Sequence, residues 1–224
     1  MRTLTYQDLE VVYETNHLIV VVKPAGILSQ KDVTNDLDMM TLVKEYLKNK
    51  YNKPGEAFLG LVHRLDRMTS GLMVFGKTSK GASRLSEQIR NHEFIKKYFT
   101  VVENKITKDG TLTNKMSYDE KTKKAYLDEN GKLAVLHYKV IKNEFGALGL
   151  KNNTLLEVLL ETGRHHQIRL QMSAFSHPLL GDTLYGSKVK CKIFLHAYYL
   201  SFKDPVTKEK LEFIKYPTWY ERRD

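Results

Sequence analysis

Short apolar runs broken by turn residues dominate the chain, and only three stretches carry apolar positions at helical spacing. Glu10 to Glu14 and His17 to Val22 read as two strands joined by Thr15-Asn16, the second ended by Lys23-Pro24-Ala25-Gly26. Asp36 to Asp38 then precede a helix over Met40 to Tyr51, where Leu42, Val43, Tyr46 and Leu47 recur on one side and Asn52-Lys53-Pro54-Gly55 stops it. Leu59, Leu61 and Val62, and later Leu72 to Phe75, predict two strands on either side of a polar loop. Thr78 or Ser79 caps a second helix to about Asn91, with Leu85 and Ile89 inward and Lys80, Arg84 and Arg90 outward.

Downstream, strands are predicted at Phe94 to Val102, Thr111 to Tyr118, Leu133 to Ile141 and Thr154 to Glu161, with an exposed hairpin tip near Lys121 to Lys124. A third helix runs from about His165 to Phe175, with His166, Arg169, Leu170 and Ser173 on one side and Ile168 and Met172 on another, before His177-Pro178 ends it. Lys192 to Phe202 is the last strong strand, and the tail after it is basic and aromatic, with Trp219 and Arg222-Arg223. Strands outnumber helices and most connections are of hairpin length. The pattern predicts an α+β fold, one domain over residues 1–224 built on a mixed, mostly antiparallel sheet.

Charge narrows the partners. Thirty-six basic against 26 acidic residues give a net charge of +10, which suits a polyanion, nucleic acid first and an anionic membrane second. No basic amphipathic helix and no apolar run of transmembrane length stand out, so the expectation is RNA or DNA and no membrane. Cys191 is the only cysteine, which excludes an internal disulfide framework and a cysteine-built zinc site. It reads as a half-buried thiol in a strand. The N-terminal stretch lacks the apolar centre of a signal peptide, and the expected compartment is the cytoplasm.

The stretch Leu59 to Thr78, LGLVHRLDRMTSGLMVFGKT, carries the candidate chemistry. One carboxylate, Asp66, stands between Arg64 and Arg67 in a loop between strands, where a sheet can aim a side chain. The residues alone leave two roles open for it, a structural ion pair or a chemical centre. A third reading is a phosphate loop, because Gly71 to Thr78 satisfies G-x-x-x-x-G-K-[ST]. Its spacers are Leu72, Met73, Val74 and Phe75, which demand burial in a strand, whereas a phosphate cradle needs a flexible loop with inward N–H groups. The match is read as accidental.

His63-Arg64-Leu65-Asp66 followed by Thr69-Ser70-Gly71-Leu72 resembles the central motif of the RluA-type RNA pseudouridine synthases. The remaining motifs of that family stand in order: Lys23-Pro24-Ala25-Gly26 before it, then Lys97-Tyr98, Thr162-Gly163-Arg164 with His166-Gln167-Ile168-Arg169, Gly181-Asp182 with Tyr185-Gly186, and Leu195-His196-Ala197. The resemblance covers residues 8–205. It implies a bent sheet with flanking helices and a central cleft, no cofactor, and no room in this chain for the small RNA-binding domain that often precedes the catalytic one. It also implies ribosomal or transfer RNA as partner, and a monomer is expected.

By resemblance Asp66 is the catalytic carboxylate. Arg169 pairs with it, and Tyr98 lines the base pocket and acts as the base that takes the carbon-5 proton. His63 and Arg64 contact the everted nucleotide or fill its place in the stack. Arg164 and Gln167 are ligands of backbone or of phosphate, Asp182 supports the turn between Gly181 and Tyr185, and His166 and His196 are structural hydrogen bonders. No step requires a metal. Departures from the family pattern are His165 for a usual Thr, Thr100 for a small residue, Ser29-Gln30 where relatives end in His, and Leu136 for a usual Thr; none removes a group the chemistry needs. A binding module with idle catalytic residues is the rival class, followed by the nucleotide hydrolase of the Gly71 to Thr78 match.

Overall fold

A computed structural model describes residues 4–52 and 54–220. Lys53 and the expected basic pair Arg222-Arg223 lie outside the described residues. The chain divides into two compact units, Met1–Ile95 with Tyr199–Lys215 and Lys96–Tyr198 with Tyr216–Asp224.

In the first unit, β1 (Glu10–Glu14) pairs antiparallel with β2 (Leu18–Lys23), and β2 with β4 (Ser70–Gly76). The short β3 (Gly60–Leu61) also pairs with β4, and β11 (Lys210–Ile214) pairs with Tyr199–Lys203 of β10 (Leu195–Lys203). Leu18 to Val21 are sealed from solvent, which explains a continuous apolar run in place of an alternating one. Helix α1 (Met39–Lys50) is capped by the Asp38 carboxylate, which accepts from Thr41 N–H at 3.1 Å. Helix α2 (Ser79–Arg90) is capped by Thr78 through Gly81 N–H. Leu85 of α2 joins Leu18, Val20, Leu72, Val74 and Phe94 in one apolar cluster, with Ile89 packed against it. Gln88 fixes the other side of α2, exchanging two bonds of 2.8 Å with the backbone of Lys203.

This unit also disposes of the phosphate-loop reading. Residues 71–76 are strand, paired with β2. Gly76 is there for close packing: a Cβ on it would stand 2.5 Å from the backbone of Ala82 in α2. Lys77 turns away from any loop and buries its ammonium against Glu14 (2.5 Å) and the carbonyl of Thr15 (2.7 Å), under the ring of Tyr51. Burial raises the Glu14 pKa, but bonds from Lys50, Lys77 and Tyr51 outweigh it and hold the carboxyl down at about 2. Lys77→Ala is therefore expected to lower stability by about 1–3 kcal/mol, because Lys50 and Tyr51 still face the carboxylate. Activity of the folded variant should be unchanged at permissive temperature. Urea unfolding and a product assay check both; a hydrolase would instead lose all function.

In the second unit, β5 (Ile95–Glu103), β9 (Asn153–Leu160), β8 (Lys132–Asn143), β6 (Gly110–Asp119) and β7 (Lys124–Leu127) follow one another in space, antiparallel throughout. Helix α3 (Gln167–Ala174) is buried from Gln167 to Met172 on every side, rather than showing two distinct faces. Leu170 packs with Met116, Ala125, Ala134 and Tyr185. Strand β10 begins at Leu195, so Cys191 lies in the bend before it and not in a strand. Its thiol rests where a side chain on Gly181 (φ +88°) would have to go. Among the described residues no helix is long and apolar enough to cross a membrane.

Candidate active site

The loop between β3 and β4 holds its shape through backbone contacts to the turn after β2. Lys23, the last residue of β2, pairs with Gly71 at the start of β4. Its side chain is fully buried, and the ammonium donates to the carbonyls of Pro24 and Arg67, each at 3.0 Å. Gly26, at φ +93°, donates its N–H to the same Arg67 carbonyl at 2.8 Å, a conformation natural only to glycine. Arg67 returns a bond from Nε to Gly26 O (3.1 Å) and pairs with Asp36 at 2.8 Å. Ser29 is buried; its hydroxyl donates to Leu65 O (2.7 Å) and accepts from Leu65 N–H (3.1 Å). Thr69 N–H closes a turn on the carbonyl of Asp66 at 3.0 Å. The backbone on both sides of the half-buried Asp66 is thus pinned by groups from elsewhere in the unit.

Asp66 also has a cation near it inside this unit. Burial pushes the Lys23 ammonium down from its ordinary 10.5 to about 7, the Asp66 carboxylate opposing that shift and Arg67 adding to it. Periodicity does not show this, since a lysine after five apolar residues reads as the point where a strand meets solvent. His63 anchors the loop from its other end: Nε2 accepts from Val74 N–H at 3.1 Å, and the ring packs on Phe94. Arg64 is exposed.

A depressed lysine pKa has a definite consequence for stability. The unfolded chain binds a proton to Lys23 up to about pH 10.5, the folded chain only to about pH 7. Stability from this group therefore rises with pH through that window, by about 1.4 kcal/mol per pH unit at most. Lys23→Met should flatten the rise between pH 7 and 9 by roughly 2 kcal/mol. It should also slow product formation by about tenfold, as the loop loses a donor to two carbonyls. Urea midpoints at each pH test the first part; parallel curves for both proteins would show that Lys23 titrates normally.

The second unit collects the remaining candidates. Tyr98 is buried in β5, opposite Val158 of β9. Gln167 spends its whole amide on backbone shaping. Oε1 accepts from Thr162 Oγ1 (2.9 Å) and Arg164 N–H (3.0 Å), and Nε2 donates to Val135 O (3.0 Å). Of the two roles left open for it, the backbone one is what this geometry serves. Arg164 is exposed, and its side chain donates from Nε to Leu133 O at 2.9 Å.

Arg169 is buried and makes a bidentate pair with Asp182, Nε to Oδ2 at 2.6 Å and Nη2 to Oδ1 at 2.8 Å. The ring of Tyr185 lies over its guanidinium, 5.0 Å away. The Tyr185 hydroxyl is itself fixed by Ala125 N–H (2.7 Å) and His166 Nδ1 (2.9 Å). Asp182 does support its turn, accepting from Tyr185 and Ser187 N–H, but its carboxylate has a larger task, which is to orient Arg169. The motif held this signal, Gly-Asp before Tyr-Gly, without saying which cation the aspartate meets.

Residues 17–174 match the family model described as RNA pseudouridylate synthase. A ribosomal large subunit pseudouridine synthase D of Zymomonas mobilis is 34% identical over 221 residues, covering 92% of this chain and 68% of the relative. A protein of Bacillus subtilis called an uncharacterized RNA pseudouridine synthase, YhcT, is 32% identical, covering 91% and 67%. The chain thus spans about two thirds of the length of these relatives. Among solved structures, human RNA pseudouridylate synthase domain containing 4 aligns with a TM-score of 0.75 at 22% identity, over 94% of this chain and 89% of its own. That likeness fixes the fold as α+β of the pseudouridine synthase type. With most of its length matched, the chain is an RluA-type member of the RNA pseudouridylate synthase family, isomerases that convert uridine in RNA to pseudouridine.

Proposed function

We propose that this protein isomerises uridine in large-subunit ribosomal RNA, with Asp66 as the catalytic carboxylate. The observation that carries the role of Asp66 is the pinned loop: Ser29, Gly26 and Thr69 fix the backbone around it, and the buried Lys23 side chain is tied to the carbonyl of the next residue, Arg67. Effort of that kind is spent where one side chain must be held in one place. The choice of ribosomal RNA rests on the names carried by the relatives, and transfer RNA is the other substrate to be tested.

The reaction breaks the bond from the anomeric carbon to ring nitrogen 1 and forms one to ring carbon 5. Carbon 5 gives up its proton and nitrogen 1 gains one, so no electrons enter or leave. In this reading Asp66 attacks the sugar or removes a sugar proton. Arg169, aimed by Asp182 and Tyr185, supplies the positive charge that keeps a carboxylate ionised in a dry pocket. Tyr98 gives a stacking face and a polar tip to the base. Arg64 and Arg164, both exposed, contact the nucleotide and its neighbours, while His63 and Gln167 hold the segments that carry them. The protein works as one catalytic domain and a monomer in the cytoplasm.

Pseudouridine mapping of all RNA from cells with and without the gene tests the reading. The expected result is one or a few sites in large-subunit ribosomal RNA that vanish with the gene and return with it. Sites lost only from transfer RNA would move the substrate; an unchanged map would overturn the function.

A further inference from the structure

Lys96 is the residue that none of the roles above absorbs. It stands two positions before Tyr98 on β5, so the two side chains leave the same face of the strand. Lys97, on the opposite face, has a carboxylate partner, Glu157 at 3.2 Å. Lys96 is half-buried and among the described residues has no carboxylate or carbonyl to meet. Burial alone pushes its pKa down. Its ammonium lies over Gly163, 3.6 Å from where a Cβ on that glycine would stand.

Gly163 is itself held still. Thr162 Oγ1 accepts from Val135 N–H (2.9 Å), and both Thr162 and Arg164 are tied to Gln167 Oε1. The exposed Arg164 guanidinium leaves the next residue. A lysine ammonium over a bare glycine backbone, on the strand face of Tyr98 and one residue along from an exposed arginine, makes a cationic spot with no anion against it among the described residues. Partly desolvating an ammonium without a counter-charge is costly. The cost is recovered when an anion arrives from outside.

We propose that Lys96 binds a backbone phosphate of the RNA beside the target uridine, next to Gly163. This rests on the reading of the chain as a uridine isomerase acting on RNA. The phosphate contact would fix the register of the nucleotide while Tyr98 meets its base, a division of labour in which phosphate contacts position and base contacts specify.

The test is the salt dependence of binding to an unmodified transcript of large-subunit ribosomal RNA, for wild type, Lys96→Met and Lys96→Arg. Loss of one phosphate contact should lower the slope of log K against log salt by about 0.7–0.9. Lys96→Met is expected to show that loss, with KM raised about tenfold and kcat changed less, and Lys96→Arg to restore the slope. A Lys96→Met slope equal to wild type, with only a lower melting temperature, would overturn the proposal and leave Lys96 a packing residue. The isomerase reading fails separately, if wild type binds the transcript but yields no pseudouridine in any RNA; the slopes still report on Lys96 in that case.

Discussion

Asp66→Ala is expected to abolish pseudouridine formation, by a factor on the order of 10^4 or more, and to leave the fold intact. The size of the effect follows from the role: removing the one group that makes or breaks a bond at the reacting centre cannot be offset by binding. Retention of the fold follows from the local geometry. The Thr69 bond falls on the carbonyl of residue 66. The clamps from Ser29 and Lys23 fall on the backbones of Leu65 and Arg67, so none uses the carboxylate. Asp66→Asn keeps even the shape and should be equally inactive. Denaturant midpoints within about 1 kcal/mol of wild type, together with absent product by mass spectrometry, would agree with this. Near-normal product from either variant would remove Asp66 from the chemistry. Cellular rescue by Asp66→Asn would favour a binding module whose catalytic residues are idle.

Much of the fold could be read from the chain, and the exceptions have physical causes. The caps at Asp38 and Thr78, the buried run at Leu18 to Val21 and the long hairpin strands β6 and β8 are local signals, and they hold. Strands β7 and β11 were missed. Each is short, carries charge, and is a strand because a longer neighbour supplies the ladder. Helix α3 looked two-faced because Gln167, Arg169 and Gln171 are polar. All three are buried and bond to Val135, Asp182 and Ala134 from distant parts of the unit. Periodicity cannot see such partners. The same limit applies to the site. Motif order names Asp66 and Arg169 as candidates, but the groups that hold their surroundings, Lys23 and Ser29 for the one and Asp182 for the other, are joined to them only by tertiary structure.

Asp182→Ala should be the most destabilising change at the site, because it strands the Arg169 guanidinium in a place where side chains of the pair are 6% and 1% exposed. Leaving one partner of such a pair behind costs about 3–5 kcal/mol, a fall in melting temperature of roughly 6–20 °C for a chain of this size. Activity should fall with it, since Tyr185 stacking does not set the fork of the guanidinium as the bidentate carboxylate does. That result by itself would not separate a catalytic arginine from a structural one. Replacing both members does. Arg169→Met with Asp182→Leu exchanges the ion pair for apolar groups of similar volume, a swap that is often neutral or stabilising. The double variant is expected to regain most of the lost stability while making no pseudouridine. Product formation recovering in step with the melting temperature would mean that Arg169 only holds α3 in place, and that the charge beside Asp66 is supplied from within its own unit, by Lys23.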